Sequence, residues 1–315
     1  MEQKKASWGF WLGSFAFALT IPLMAYRIIR KLCGKKSYDS FKGKVVVITG
    51  ASSGIGEALA HEFYKQGCKV VLCARRQEEL ERVKLDLLQK HPTVPTYPPV
   101  VVPTDLSDIN SLEGIVNQII DITGHIDFLI NNGGISNRGS VIDTNNDVFI
   151  RIMTVNYFGA VALTKAALPH MIKQKQGYIV FINSVQGLIA IPNRSAYAAS
   201  KHALKAFGDT LRSEVARFNI HVTVINAGYV HTALSLNALT GSGNAHGQMD
   251  TATAQGYSTD YVAEKTALAV AQKDPEVILA PLIHKMAILM RTNLPRLYFY
   301  VMAWRAQRES KQHEM

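Results

Sequence analysis

Seven short runs dominated by β-branched and other apolar residues recur through the middle of the chain: Lys44–Thr49, Lys69–Ala74, Val100–Thr104, Asp127–Ile130, Tyr178–Asn183, His221–Asn226 and Val277–Ala280. They are apolar almost throughout rather than at every second position, so strands built from them bury both faces. Longer amphipathic segments separate them, among them Gly56–Gln66, Glu78–Lys90 and Ser195–Arg217. Strands alternating with helices make a parallel sheet covered on both sides. The expected fold is α/β, a doubly wound parallel Rossmann-type sheet in a single domain over residues 42–282.

Hydrophobic residues make up 48% of the 315 and charged residues 18%, which supplies a core and argues against disorder. The net charge of +10 raises the question of nucleic acid. The charge sits outside the strand-bearing region, however. Residues 1–44 carry nine Lys/Arg against two acids, residues 283–315 six against two, and residues 45–282 nineteen against twenty. A nucleic-acid binder needs a basic face on its folded domain, so no such partner is expected. Cys33, Cys68 and Cys73 form no CxxC or Cys/His pattern, and no metal is expected.

From Ala6 to Tyr26 the chain runs 21 residues without a charge. As a helix this spans roughly 30 Å, the thickness of bilayer hydrocarbon. Trp8 and Trp11 at one end and Tyr26 at the other stand where interfacial anchors belong. A cleaved signal peptide is the competing reading, but Arg27-Ile28-Ile29-Arg30-Lys31 follows the run in place of a small-residue cleavage site. Residues 1–41 are therefore expected to be a retained single-pass transmembrane anchor with a basic linker. The excess of cations after the span places the remainder of the chain in the cytosol. The endoplasmic reticulum membrane is the expected location, with the peroxisomal membrane as the alternative. Residues 283–315 read as basic amphipathic helices lying in the interface, burying Met286, Ile288, Leu289, Met290, Leu297, Phe299, Val301 and Trp304; a dimer contact or a core-packing helix is the alternative.

The first apolar run leads into Gly50-Ala51-Ser52-Ser53-Gly54-Ile55-Gly56. Gly50, Gly54 and Gly56 permit a tight turn and a close approach of backbone to a pyrophosphate at a helix N-terminus, with Ser52, Ser53 and Ile55 in the same turn. A P-loop is excluded because no Lys-Ser/Thr pair follows. About twenty residues on, the second run ends in Ala74-Arg75-Arg76. An acidic residue there would hold ribose hydroxyls, whereas Arg75 and Arg76 suit a 2′-phosphate. NADP(H) is the expected cofactor, with NAD(H) as the alternative.

Tyr197 and Lys201 are four residues apart and share one face if helical. A free phenol ionises near pH 10, and a nearby cation stabilises its phenolate, so the pair can exchange a proton with a carbonyl oxygen. Thirteen residues upstream, Ser184 ends a predicted strand, at the sheet edge where parallel α/β proteins bind ligands.

These motifs, with Asn131-Asn132-Gly133-Gly134, Asn156 and Asn226-Ala227-Gly228-Tyr229-Val230-His231-Thr232, stand in the order and spacing of the short-chain dehydrogenase/reductase family, which residues 42–280 resemble. Met153–Gly159, Met249-Asp250-Thr251 and the amino-terminal run look most like its membrane-bound member 7 and 7B group. The resemblance implies Tyr197 as general acid/base and Lys201 as the group that lowers its pKa and holds the nicotinamide ribose. It implies that Ser184 orients the reacting oxygen, Asn156 holds a relay water, Thr232 meets the carboxamide, Asp105 lies near adenine and Asn132 supports the cofactor. Gly133 stands where the family usually has Ala, and Ala227 where it usually has Pro.

Residues 229–259 are expected to cover the substrate, with Gly241-Ser242-Gly243 giving a mobile lid. His231 and His246 read as solvated or capping groups. An apolar cover beside a membrane anchor points to a hydrophobic small molecule: a steroid, retinoid or keto-lipid. The expected function is hydride transfer between NAD(P)(H) and such a carbonyl or alcohol, in a chain that can form homodimers. A cofactor-binding membrane adaptor is the alternative. An epimerase of the extended branch is disfavoured, since little chain follows the sixth strand.

Overall fold

The computed structural model describes residues 41–92 and 97–313. The expected anchor and its linker lie outside these residues. All seven expected strands are present within two residues of their predicted ends. In chain order the elements are β1 (Val45–Thr49), α1 (Gly54–Lys65), β2 (Lys69–Ala74), α2 (Gln77–Lys90), β3 (Val100–Pro103), α3 (Leu112–Thr123) and β4 (Phe128–Asn131). Then follow β5 (Asn137–Arg138), α4 (Asn146–Met153), α5 (Gly159–Gln174), β6 (Gly177–Ser184), α6 (Ser195–Val215) and β7 (Ile220–Ala227). The last are β8 (Leu239–Thr240), α7 (Thr251–Ala254), α8 (Thr259–Gln272), β9 (Glu276–Leu279), α9 (Leu282–Asn293) and α10 (Pro295–His313).

Seven strands form one sheet in the order β3-β2-β1-β4-β6-β7-β9, every pair parallel. The continuous apolarity of the strands has its cause in the packing. Along β1, Val46 and Ile48 share a core with Leu59 and Phe63 of α1 and Val262 and Val270 of α8. Val45 and Val47 share the opposite core with Val116 of α3, Leu163 and Met171 of α5 and Leu204 of α6. Each such side chain contributes about 1.5–3 kcal/mol on burial, and neither face is left to water. One continuous helical stretch among the described residues, Asn146–Gln174, is long and apolar enough to cross a membrane. It is a core element, with Leu163, Ala167 and Met171 at most 1% exposed.

The chain runs outward from β1 to β3 and returns to β4, so the connections leaving β1 and β4 run in opposite directions and open a crevice at the carboxyl edge there. A second, two-stranded parallel pairing of β5 with β8 ties the loop after β4 to the loop after β7. Sequence periodicity gave no sign of it. The chain then turns back through α9 and α10, which close one side of the crevice.

Candidate active site

A single cavity of about 920 Å³ runs along the carboxyl edge of the sheet. At one end it is lined by Gly50, Ser52, Ser53, Gly54 and Ile55 from the turn after β1, Arg75 and Arg76 after β2, and Asp105 after β3. Gly50 has φ +65°, a conformation that Gly adopts without penalty. Gly56 lies beneath the groove rather than in its wall. A Cβ there would sit 2.2 Å from the Gly50 carbonyl oxygen, so its role is to let α1 pack onto the turn. Ser53 makes no capping bond, which leaves first-turn N–H groups of α1 for an anion. The wall thus fits a dinucleotide pyrophosphate.

Arg76 Nη2 lies 3.4 Å from Ser52 Oγ, and no carboxylate stands at the end of β2. Asp105 feels burial, which pushes its pKa up. The Ser107 N–H and hydroxyl at 2.9 and 2.7 Å, with Arg75, outweigh it and hold the carboxyl below its usual range. Asn132 donates to the Thr49 carbonyl at 2.9 Å and so bridges β4 to the end of β1. At Gly133 a Cβ would lie 2.5 Å from Leu106 Cδ1: the leucine occupies the place of the alanine methyl usual in the family. Thr232 closes the far wall opposite Gly54, where an added Cβ would meet its methyl at 3.2 Å.

Midway along, Ser184, Tyr197 and Lys201 converge on the same cavity from the end of β6 and the first turns of α6. The Lys201 ammonium lies 5.7 Å from the centre of the Tyr197 ring and donates to the Ile182 carbonyl at 3.1 Å. Burial drives the Lys201 pKa down to about 8. Burial also raises the Tyr197 phenol above its ordinary value, against the downward pull of Ser184, Arg194 and Arg138. Arg194 and Arg138 are the cations whose charge pulls the phenol down.

Asn156 is not itself part of the cavity wall but stands directly behind Gly134, which is. It lies in a π-helical turn, Thr154–Phe158, between α4 and α5. Its amide donates to the Ile135 carbonyl and to Ser200 Oγ, both at 2.9 Å, and its Oδ1 accepts from Ile135 N at 2.8 Å. Ser200 donates back to the Tyr197 carbonyl at 2.8 Å, linking the turn to α6. Ala227 ends β7, paired with Ser184 and Leu279.

Residues 229–259 do roof the cavity, through Tyr229, Thr232, Leu234 and Leu239 among others. The glycine pair within them is not a loose hinge. Gly241 accepts from Asn145 N at 2.9 Å, and a Cβ on it would clash with the Asp143 carbonyl at 2.2 Å. His231 and His246 stay out of the lining. Sequence reasoning missed a three-residue cluster. Asp250 accepts from Arg138 Nε at 3.1 and 3.2 Å and from Arg194 Nη2 at 3.0 Å, and both arginines line the cavity. Burial pushes the Asp250 carboxyl up, but the two guanidinium groups hold it below the carboxylate range. It also missed Gln186, 6% exposed, whose Oε1 has no partner, and the inner faces of α9 and α10. Nothing local in Asn137-Arg138 or Asn193-Arg194 sets these arginines apart from ordinary surface cations.

Comparisons with known proteins agree with this architecture. The short chain dehydrogenase family description matches residues 44–241. The chain is 53% identical to a Dehydrogenase/reductase SDR family protein 7-like from Anopheles gambiae, over 98% of this chain and 97% of that one. It is 49% identical to Dehydrogenase/reductase SDR family member 7B of Bos taurus, over 86% and 83%. Among solved structures, a short chain dehydrogenase/reductase from Burkholderia phymatum in complex with NAD superposes with TM-score 0.72 at 24% identity, covering 82% of this chain and 95% of that one. An alcohol dehydrogenase from Thermococcus sibiricus complexed with 5-hydroxy-NADP gives 0.65 at 25% identity, over 76% and 96%. The chain therefore belongs to the short-chain dehydrogenase/reductase family and is an NAD(P)-dependent oxidoreductase.

Proposed function

We propose that this oxidoreductase uses NADPH to reduce the ketone of a hydrophobic, lipid-like molecule (a steroid, retinoid or keto-lipid) at the cytosolic face of the endoplasmic reticulum membrane. The observation that carries the reading is the convergence of Ser184, Tyr197 and Lys201 on a cavity that joins the glycine-turn groove to an apolar chamber lined by Ile189, Leu234, Met290 and Val301. Arg75 and Arg76, with no acid beside them, support NADPH over NADH.

The bound nicotinamide supplies the hydride. Tyr197 gives its phenolic proton to the oxygen as charge develops there, and Ser184 holds that oxygen by a hydrogen bond. Lys201 would hold the ribose hydroxyls of a bound cofactor and, charged below about pH 8, balances the phenolate left behind. An added Cβ on Gly134 would stand 3.1 Å from Asn156 Oδ1 and 3.7 Å from Lys201 Nζ, so the two groups border one small space. A water there would pass protons to Lys201, with Asn156 holding it. Thr232 would hold the carboxamide of a bound cofactor, Asn132 would steady its loop and Asp105 would serve the adenine end.

The test is reduction of long-chain and steroidal ketones by purified full-length protein with NADPH. Tyr197→Phe is expected to lower kcat by about 10²–10⁴-fold, the usual worth of general acid catalysis, while NADPH binding is retained. An undiminished rate removes the assignment.

A further inference from the structure

From Leu282 to Tyr300, eight large apolar side chains are 49–73% exposed. Among the described residues, the next densest stretch of comparable length, Val141–Phe158, has four. A soluble surface leaves single apolar residues in water, but so dense a patch marks a surface that is covered in use. The same two helices have a second, inward face. Met290, Val301 and Met302 line the cavity, the exposed Ile283 and Met286 border it as well, and Tyr298, 2% exposed, donates from its hydroxyl to the Ala190 carbonyl at 2.7 Å. His284 packs edge-on against Tyr229 of the roof, ring centres 5.7 Å apart. The helices are thus fixed to the body of the protein by one face, and the cavity wall and the uncovered apolar surface are two sides of one thin layer.

The charge pattern selects what covers that surface. Between Glu276 and Arg308 the sequence has no acidic residue, whereas Lys285, Arg291 and Arg296 fall within the exposed stretch. Arg291 lies over the Phe299 ring at 4.8 Å, its charge held beside the apolar face. A second copy of this chain would set like charges against like, which disfavours that pairing. Anionic lipid headgroups around an apolar interior match both features.

We propose that α9 and α10 lie on the bilayer and form its gate to the active site, so that substrate passes between them from the lipid without crossing water. The second half rests on the ketone-reductase reading above; the first does not. Turnover then follows the mole fraction of ketone in the membrane rather than its total concentration.

Two measurements on full-length protein reconstituted in phosphatidylcholine vesicles containing some phosphatidylserine test this. Cys68 and Cys73 are buried, so replacing Cys33→Ser permits single labelling at an introduced cysteine. An environment-sensitive fluorophore on Leu289→Cys or Leu297→Cys is expected to brighten and be quenched by brominated acyl chains. The same label on Glu113→Cys, on the exposed side of α3, is expected to stay unquenched. Absence of quenching at 289 and 297 overturns the docking, whether the label stays in water or is shielded by protein. This arm needs no turnover, so it stands apart from the catalytic reading.

In the second measurement, Leu289→Ser, Leu297→Ser and Tyr300→Ser are combined, none of which lines the cavity. Reduction of a bilayer-dissolved long-chain ketone is expected to fall by about tenfold or more, given the apolar area lost to the membrane, while a short water-soluble ketone is reduced at the parental rate. Equal rates on the membrane ketone, or equal losses on both ketones, overturn the gate.

Discussion

Lys201 is held in the interior at the expense of stability. Its pKa falls from 10.5 to about 8, so below pH 8 the native state carries a buried charge that the unfolded chain solvates freely. A lysine depressed on folding binds fewer protons in the native state, so stability rises with pH between about 8 and 10.5. Lys201→Met is accordingly expected to raise stability at pH 7 by up to about 3 kcal/mol, the equivalent of the pKa shift, while abolishing reduction. Urea titrations at pH 7 and 10 check this; the gain should shrink at the higher pH. With the parent protein, kcat for reduction is expected to fall as pH rises through about 8, where Lys201 loses the charge that balances the phenolate. At the cofactor end, Arg75→Ala should weaken NADPH binding by about tenfold or more and leave NADH nearly unchanged, since a charge-assisted hydrogen bond is worth about 1.5–3 kcal/mol. Fluorescence titration with both cofactors reads it directly.

Among the elements, the roof segment is fastened at one carboxylate. Asp250 joins the loop before α7 to Arg138 of β5 and to Arg194 at the start of α6, all three side chains at most 19% exposed. Asp250→Asn leaves two neighbouring buried guanidinium groups without a counter-charge. A loss of about 3 kcal/mol is expected, together with faster proteolysis within residues 229–259. An unchanged cleavage rate would mean that β5 and β8 alone hold the roof. This cluster shows where sequence reading stops. The strands were legible because burial on both faces writes itself into consecutive residues, and Tyr197 with Lys201 because four residues make one helical turn. Asp250 meets its arginines across 112 and 56 residues, and no local pattern announces such a contact. The same holds for β5 with β8, two residues each, too short to leave a period. The titration of Tyr197 was illegible for another reason. Spacing gives the neighbour, but desolvation, which raises the phenol and lowers the lysine, depends on everything packed around the pair.

At the scale of the whole molecule, one cavity is charged at its cofactor end and apolar at the other, with the reacting groups at the junction. That gradient follows from the topology. The turns leaving β1 and β4 supply a helix N-terminus and short polar loops, whereas α9 and α10 supply a mostly apolar wall that also holds His284 and Arg305. A carbonyl compound with a long apolar body has one sensible orientation in such a space. The most direct measurement follows the hydride and the proton together. NADPH carrying deuterium at both nicotinamide C4 positions is incubated with a long-chain ketone and full-length protein, and the alcohol is weighed by mass spectrometry. One deuterium on the carbinol carbon of every alcohol formed, with formation nearly abolished in Tyr197→Phe, is the predicted result. Alcohol without deuterium, or a labelled yield that Tyr197→Phe leaves intact, would contradict the account.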